Sequence, residues 1–108
     1  MKNQEIIHKA VRYTDTILDY VKCVDYEGFK SNSMMVEACV FNLSQMGELV
    51  NKLDDEYTKK HSEIPWAKIR GLRNRIIHDY EGVNLKLIWE IVDTDLKLLK
   101  EQLSLLIN

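Results

Sequence analysis

Val36-Glu37-Ala38-Cys39-Val40-Phe41-Asn42-Leu43-Ser44-Gln45-Met46-Gly47-Glu48-Leu49-Val50 is the stretch on which the fold turns. Within it and just beyond, Val36, Cys39, Leu43, Met46, Val50, Leu53 and Tyr57 recur at alternating spacings of three and four. That is a heptad seam, the pattern of a helix packed lengthwise against other helices. Gly47 interrupts it, and an interior glycine costs a helix about 1 kcal/mol relative to alanine unless another backbone approaches closely. Gly47 therefore predicts a tight helix crossing. Asp54-Asp55-Glu56 reads as a solvated run and not a metal site, since successive residues lie about 100° apart around a helix.

Outward from this seam the chain stays helical. Towards the N-terminus, Ile7, Ala10, Val11, Ile17, Leu18, Val21 and Val24 follow a period near 3.6 from about Asn3 to Asp25, a helix with one buried stripe. Gly28 suits its C-cap, and Ser31-Asn32-Ser33 can cap the next helix. Towards the C-terminus, His61-Ser62-Glu63-Ile64-Pro65 breaks the pattern, and Pro65 fits the first turn of a third helix. Gly82-Val83-Asn84 ends that helix and begins a fourth, with Leu85, Ile88, Val92, Leu96, Leu99, Leu103 and Leu106 as its stripe. No apolar–polar alternation between Asn-Gly or Asp-Gly turns competes. The expected fold is all-α, an antiparallel up-and-down four-helix bundle in a single domain over residues 1–108. Leu87, Trp89, Ile91, Leu98, Leu105 and Ile107 make helix four apolar over more than one stripe, which predicts a second buried face and hence a homo-oligomer or a partner.

Composition agrees with a globular chain. Of 108 residues, 45% are hydrophobic and 30% charged, and charge breaks every apolar stretch well before a membrane span of about 18 residues. Met1-Lys2-Asn3-Gln4-Glu5 leads into an amphipathic pattern and not a secretory h-region, so a cytoplasmic protein without a membrane partner is expected. Cys23 and Cys39 are too far apart for a C-x-x-C motif and are expected as reduced, packed thiols. The net charge of -2 argues against indiscriminate nucleic-acid binding. Its distribution is uneven: Lys59, Lys60, Lys68, Arg70, Arg73 and Arg75 face one acid, Glu63, within residues 59–75. That segment is +5 and the remainder -7.

The basic segment runs into Arg73-Asn74-Arg75-Ile76-Ile77-His78-Asp79-Tyr80. Arginine holds phosphate with a charge-assisted fork, histidine moves protons near neutral pH, and asparagine can orient either. On a helical wheel with Arg73 at zero, Trp66, Ile69, Leu72, Ile76, Ile77 and Tyr80 fall in one apolar arc, while Arg70, Asn74 and His78 fall at about 60°, 100° and 140° as a polar stripe beside it. Arg73 points within the apolar arc, so either an acid such as Glu48 pairs with it or it faces a groove. On this geometry alone His78 could equally be a capping residue at the helix C-terminus, and Tyr80 a core residue.

Arg73-x4-His78-x-Tyr80, preceded by Ile64-Pro65-Trp66 and followed by Trp89, resembles the R-x4-H-x-Y signature of HepT toxins in the HEPN superfamily of helical ribonucleases. The resemblance extends over nearly the whole chain, including the Gly47-Glu48 pair. It implies the toxin of a type VII toxin–antitoxin system: a homodimeric, metal-independent ribonuclease, without a cofactor, acting on tRNA or mRNA. The two R-x4-H helices would meet across the dimer cleft. By the same resemblance, His78 serves as general base or acid, Arg73 stabilises the scissile phosphate, and Asn74 orients one of them. Arg70 and Arg75 add affinity for the RNA backbone. An MNT-type nucleotidyltransferase antitoxin would transfer AMP to Tyr80, placing bulk and negative charge beside the site. The alternative is a non-catalytic helical subunit that partners a nucleotidyltransferase.

Overall fold

The computed structural model describes residues 2–81 and 84–108, and the side chains of these outside 77–81. The expected turn at Gly82-Val83 lies outside the described residues. The chain forms α1 (Asn3–Tyr20), α2 (Tyr26–Lys30), α3 (Ser33–Val50), α4 (Asp55–Lys60), α5 (Trp66–Arg70), α6 (Leu72–Glu81), α7 (Leu85–Glu90), a π-helical turn (Ile91–Asp95) and α8 (Leu96–Ser104). The all-α expectation holds. The expected count of four helices does not carry over so simply, because the third is divided at Gly71, the fourth contains the π turn, and α2 and α4 are additional short helices.

Side chains that cap helices account for several boundaries. Asn32 Oδ1 accepts from the Met35 N–H at 3.1 Å and starts α3, as its place before the apolar run predicts. Asn84 does the same for α7 through the Leu87 N–H at 3.2 Å. Gly28 is not the C-cap of the first helix: it sits inside α2, and its N–H donates to Asp25 Oδ1 at 2.8 Å. The left-handed turn after α1 falls instead on Cys23, at φ 61°. α3 ends at Val50, so Leu53 and Tyr57 continue the seam only in pattern. Leu53 is buried in the connecting turn, and Tyr57 belongs to α4. Asp55 and Glu56 stand in the first turn of α4 and Lys59 and Lys60 in its last, the arrangement that a helix dipole favours.

One cluster of buried residues joins the elements: Ile6, Ile7 and Ile17 from α1, Leu43 and Met46 from α3, Ile69 and Ile76 from α5 and α6, and Ile88, Leu96 and Leu103 beyond. Each such side chain removed from water contributes about 1.5–3 kcal/mol against the entropy of ordering the chain. α3 lies at the centre, against α1 on one side and α5–α6 on the other. Where α3 crosses α5–α6, a Cβ on Gly47 would stand 3.0 Å from the Ile69 carbonyl oxygen and 3.7 Å from the Arg73 backbone nitrogen. This is the close crossing that an interior glycine in a heptad seam implies.

Most of the surplus apolar surface of the fourth segment is absorbed within the chain. Ile91 is buried, and Trp89 packs on Phe29 with ring centroids 5.1 Å apart. Leu98 and Leu105 remain exposed. The second apolar face is therefore narrower than the sequence implies. Among the described residues no helix is long and apolar enough to cross a membrane.

Candidate functional site

Trp66 anchors the start of the candidate helix. It is buried, and its indole N–H reaches two carbonyls at the end of α4, Thr58 O at 3.1 Å and His61 O at 2.9 Å. The Thr58 carbonyl lies in the last turn of α4, where helix carbonyls run out of backbone partners, whereas His61 O also accepts from the Ile64 N–H at 3.1 Å. The Ile64-Pro65-Trp66 lead-in thus fixes where α5 leaves α4. Gly71 then divides α5 from α6 while keeping helical hydrogen bonds, from its N–H to Ala67 O and to its own carbonyl from the Arg75 N–H, both 3.0 Å.

Arg73 and Asn74 open α6 on an exposed face. Arg73 Nη1 lies 2.8 Å from Glu48 Oε1, with the two side chains 53% and 48% exposed. The wheel expectation that Arg73 points within the apolar arc is thereby corrected. Of the two possibilities that the sequence leaves open, pairing with an acid is realised, at the surface and without burial of the charge. The glycine at position 47 brings α3 close enough for Glu48, its neighbour, to reach across.

Arg70 lies one turn before Asn74 and is half-buried. Its Nε is buried and has no hydrogen-bond partner among the described residues. Arg75 stands apart from this stripe. With Lys68, Leu72, Ile91 and Asp95 it borders a cavity of about 100 Å³ between α5–α6 and the π turn. Position 78 follows Asn74 by one turn within the same helix, which continues through Glu81. Position 80 therefore keeps the helical register. The side chains of His78 and Tyr80 lie outside the described residues.

Cys39 is buried, and burial pushes its thiol up to about 12, while Cys23 is exposed and not packed as expected. Neither joins the candidate site. Among the described residues, no group of three or more His, Cys, Asp or Glu side chains is arranged to hold a metal ion. Glu48 is the member of the site that sequence reasoning undervalued. Its signal was adjacency to the one glycine inside the seam.

Among known proteins, the match is to helical ribonucleases. Residues 10–106 fit the family model described as "Ribonuclease HepT-like". A protein of Caldanaerobacter subterraneus subsp. tengcongensis, provisionally named an RNase, is 35% identical over 88 residues, covering 82% of this chain and 79% of its own. A similarly named protein of Methanocaldococcus jannaschii is 27% identical over 99 residues, covering 92% and 91% of the two chains. The "probable ribonuclease HepT" of Thermococcus cleftensis is 26% identical over 98 residues, covering 91% and 89%. No solved structure matches the chain.

Proposed function

The chain belongs to the HepT-like ribonuclease family, and on that premise we propose that it is a ribonuclease toxin whose site is built on α6 from Arg73, Asn74 and His78. The observation that carries this reading is the exposed pair Arg73–Asn74 at the start of α6, one turn before position 78, with Arg70 one turn behind. In the proposed reaction His78 takes the proton of the ribose 2′-OH, the 2′-oxygen attacks the adjacent phosphorus, and the 5′-oxygen leaves with a proton. Arg73 stabilises the charge that grows on the phosphate oxygens. Asn74 orients the imidazole or the phosphate, and Arg75 adds backbone affinity at the edge of the helix. None of these roles requires a metal.

A base and an acid are both needed, and the R-x4-H motif supplies one histidine per chain. A homodimer supplies two. Supporting that state, Met34 and Phe41 are exposed seven residues apart on α3, on a face that continues to Glu48. The proposed substrate is tRNA or mRNA. The proposed control, as in a type VII system, is AMP transfer to Tyr80 by an MNT-type nucleotidyltransferase antitoxin, whose added phosphate would repel the RNA backbone.

Induced expression tests the nuclease reading: wild type should arrest growth, and Arg73→Ala and His78→Ala should not. Intact mass after coexpression with a nucleotidyltransferase antitoxin tests the control. An AMP-sized increment absent from Tyr80→Phe is expected, and an unmodified wild type contradicts it. The Arg73–Glu48 ion pair favours one other reading, a non-catalytic subunit in which that arginine is structural. A wild type that does not arrest growth would support it, and equal arrest by wild type and both variants would remove Arg73 and His78 from the reaction.

A further inference from the structure

Thr58, Lys59, Ser62, Pro65, Lys68 and Arg70 border an open groove of about 590 Å³ where α4 meets α5. Three cations line it and no acid does. Two acids pair with residues beside it without lining it: Asp95 reaches Lys68 at 3.9 Å, and Glu63 lies beside His61 at 3.8 Å. Lys59 has a helical reason to be where it is, in the last turn of α4. Lys68 likewise stands in the last turn of α5, but that helix is only five residues long, and its ion pair is long and about half exposed at both ends. Ser62 is exposed beside them, and the Thr58 hydroxyl is already committed to Asp55 O at 3.0 Å. Arg70 belongs both to this groove and to the polar stripe of the candidate site, and its buried Nε lacks a partner among the described residues.

We propose that this groove seats the sugar–phosphate backbone of the RNA strand on one side of the cut. Lys59 and Lys68 each face a phosphate, and Arg70 is the joint between groove and site. The one-signed charge of the lining favours a polyanion, and contacts made to phosphates carry no sequence information. This inference rests on the ribonuclease reading for the identity of the strand.

The test uses a labelled 2′-O-methyl oligoribonucleotide, which lacks the nucleophilic hydroxyl and cannot be cut, titrated by anisotropy over a series of KCl concentrations. Wild type should bind with a log–log salt slope that becomes shallower by about 1.4 in Lys59→Ala/Lys68→Ala, about 0.7 for each single-strand phosphate that a lysine no longer neutralises. Helicity by circular dichroism should not change, because both lysines are exposed. An unchanged slope, or a wild type that does not bind, overturns the proposal. So does a double variant that binds RNA normally but no longer captures a coexpressed nucleotidyltransferase, which would make the groove a protein-docking surface. Cleavage of the unmodified strand is scored separately. A wild type that binds without cutting removes the nuclease reading and leaves the groove, whereas cutting with an unchanged slope does the reverse.

Discussion

Arg73 Nη1 lies 2.8 Å from Glu48 Oε1, and this ion pair joins α6 to α3 one residue from the Gly47 crossing. With both side chains half exposed, the pair contributes only about 0–1 kcal/mol to folding. Its larger effect is to hold a guanidinium, otherwise free in several rotamers, at the start of the candidate site. Glu48→Ala should therefore lower RNA cleavage about tenfold, equivalent to about 1.4 kcal/mol, while changing unfolding free energy by less than about 1 kcal/mol. The same change in an Arg73→Ala background should cost no further activity. An additional loss there would mean that Glu48 acts independently of Arg73.

Gly47→Ala sets helix propensity against packing. Propensity alone would stabilise α3 by about 1 kcal/mol. The new Cβ, however, would meet the Ile69 carbonyl oxygen at 3.0 Å, and that atom is backbone at the centre of a helix crossing. The expected net effect is a loss of about 1–3 kcal/mol, read as a lower urea midpoint. A raised midpoint would show that α5 can move away without cost.

Trp66→Phe keeps an aromatic ring in the buried site and removes both indole hydrogen bonds, to Thr58 O and His61 O. A loss of about 1–3 kcal/mol is expected. Hydrogen exchange should rise first in α4, where Thr58 O loses its partner while His61 O keeps the Ile64 N–H. Exchange rising uniformly along the chain would contradict a local capping role.

The two thiols should behave differently. Cys23 is exposed at a left-handed turn and Cys39 is buried. At pH 8 a disulfide reagent should modify one thiol rapidly and the second only after denaturation. Burial raises the folded-state value of Cys39 from 9.0 to about 12. The stability linked to its neutral form is therefore fully present below about pH 9 and declines as pH rises towards 12, because the unfolded chain releases that proton first. Cys39→Ala should make that alkaline decline shallower, and an identical pH profile would contradict the linkage.

How much of the molecule is legible in its sequence depends on which physical signal each feature leaves in the chain. The apolar periods of α1, α3 and α8, the cap at Asn32 and the crossing at Gly47 each follow from a local rule that the structure obeys. The end of α3 left no such signal. Leu53 and Tyr57 keep the heptad pattern across the turn because both sides of it pack on the same core, and no glycine or proline marks the break. The π turn at Ile91–Asp95 is likewise unmarked, since the spacings of four from Ile88 to Val92 to Leu96 that accommodate its extra residue also fit an α-helical stripe. At the candidate site, the wheel located the Arg70–Asn74 edge but misjudged Arg73. A flexible guanidinium can leave an apolar arc for a nearby carboxylate, and angular position does not register that freedom. The cationic groove required α4 and α5 to be placed together, which the uneven charge of residues 59–75 hinted at without locating.

The most direct test of the central claim is the rate at which purified wild type, Arg73→Ala and His78→Ala cleave a single-stranded RNA in the presence of a chelator. Wild type should cut, and each variant should be slower by about 100-fold or more with helicity unchanged. Cleavage by His78→Ala at the wild-type rate would contradict the assignment of the reaction to α6.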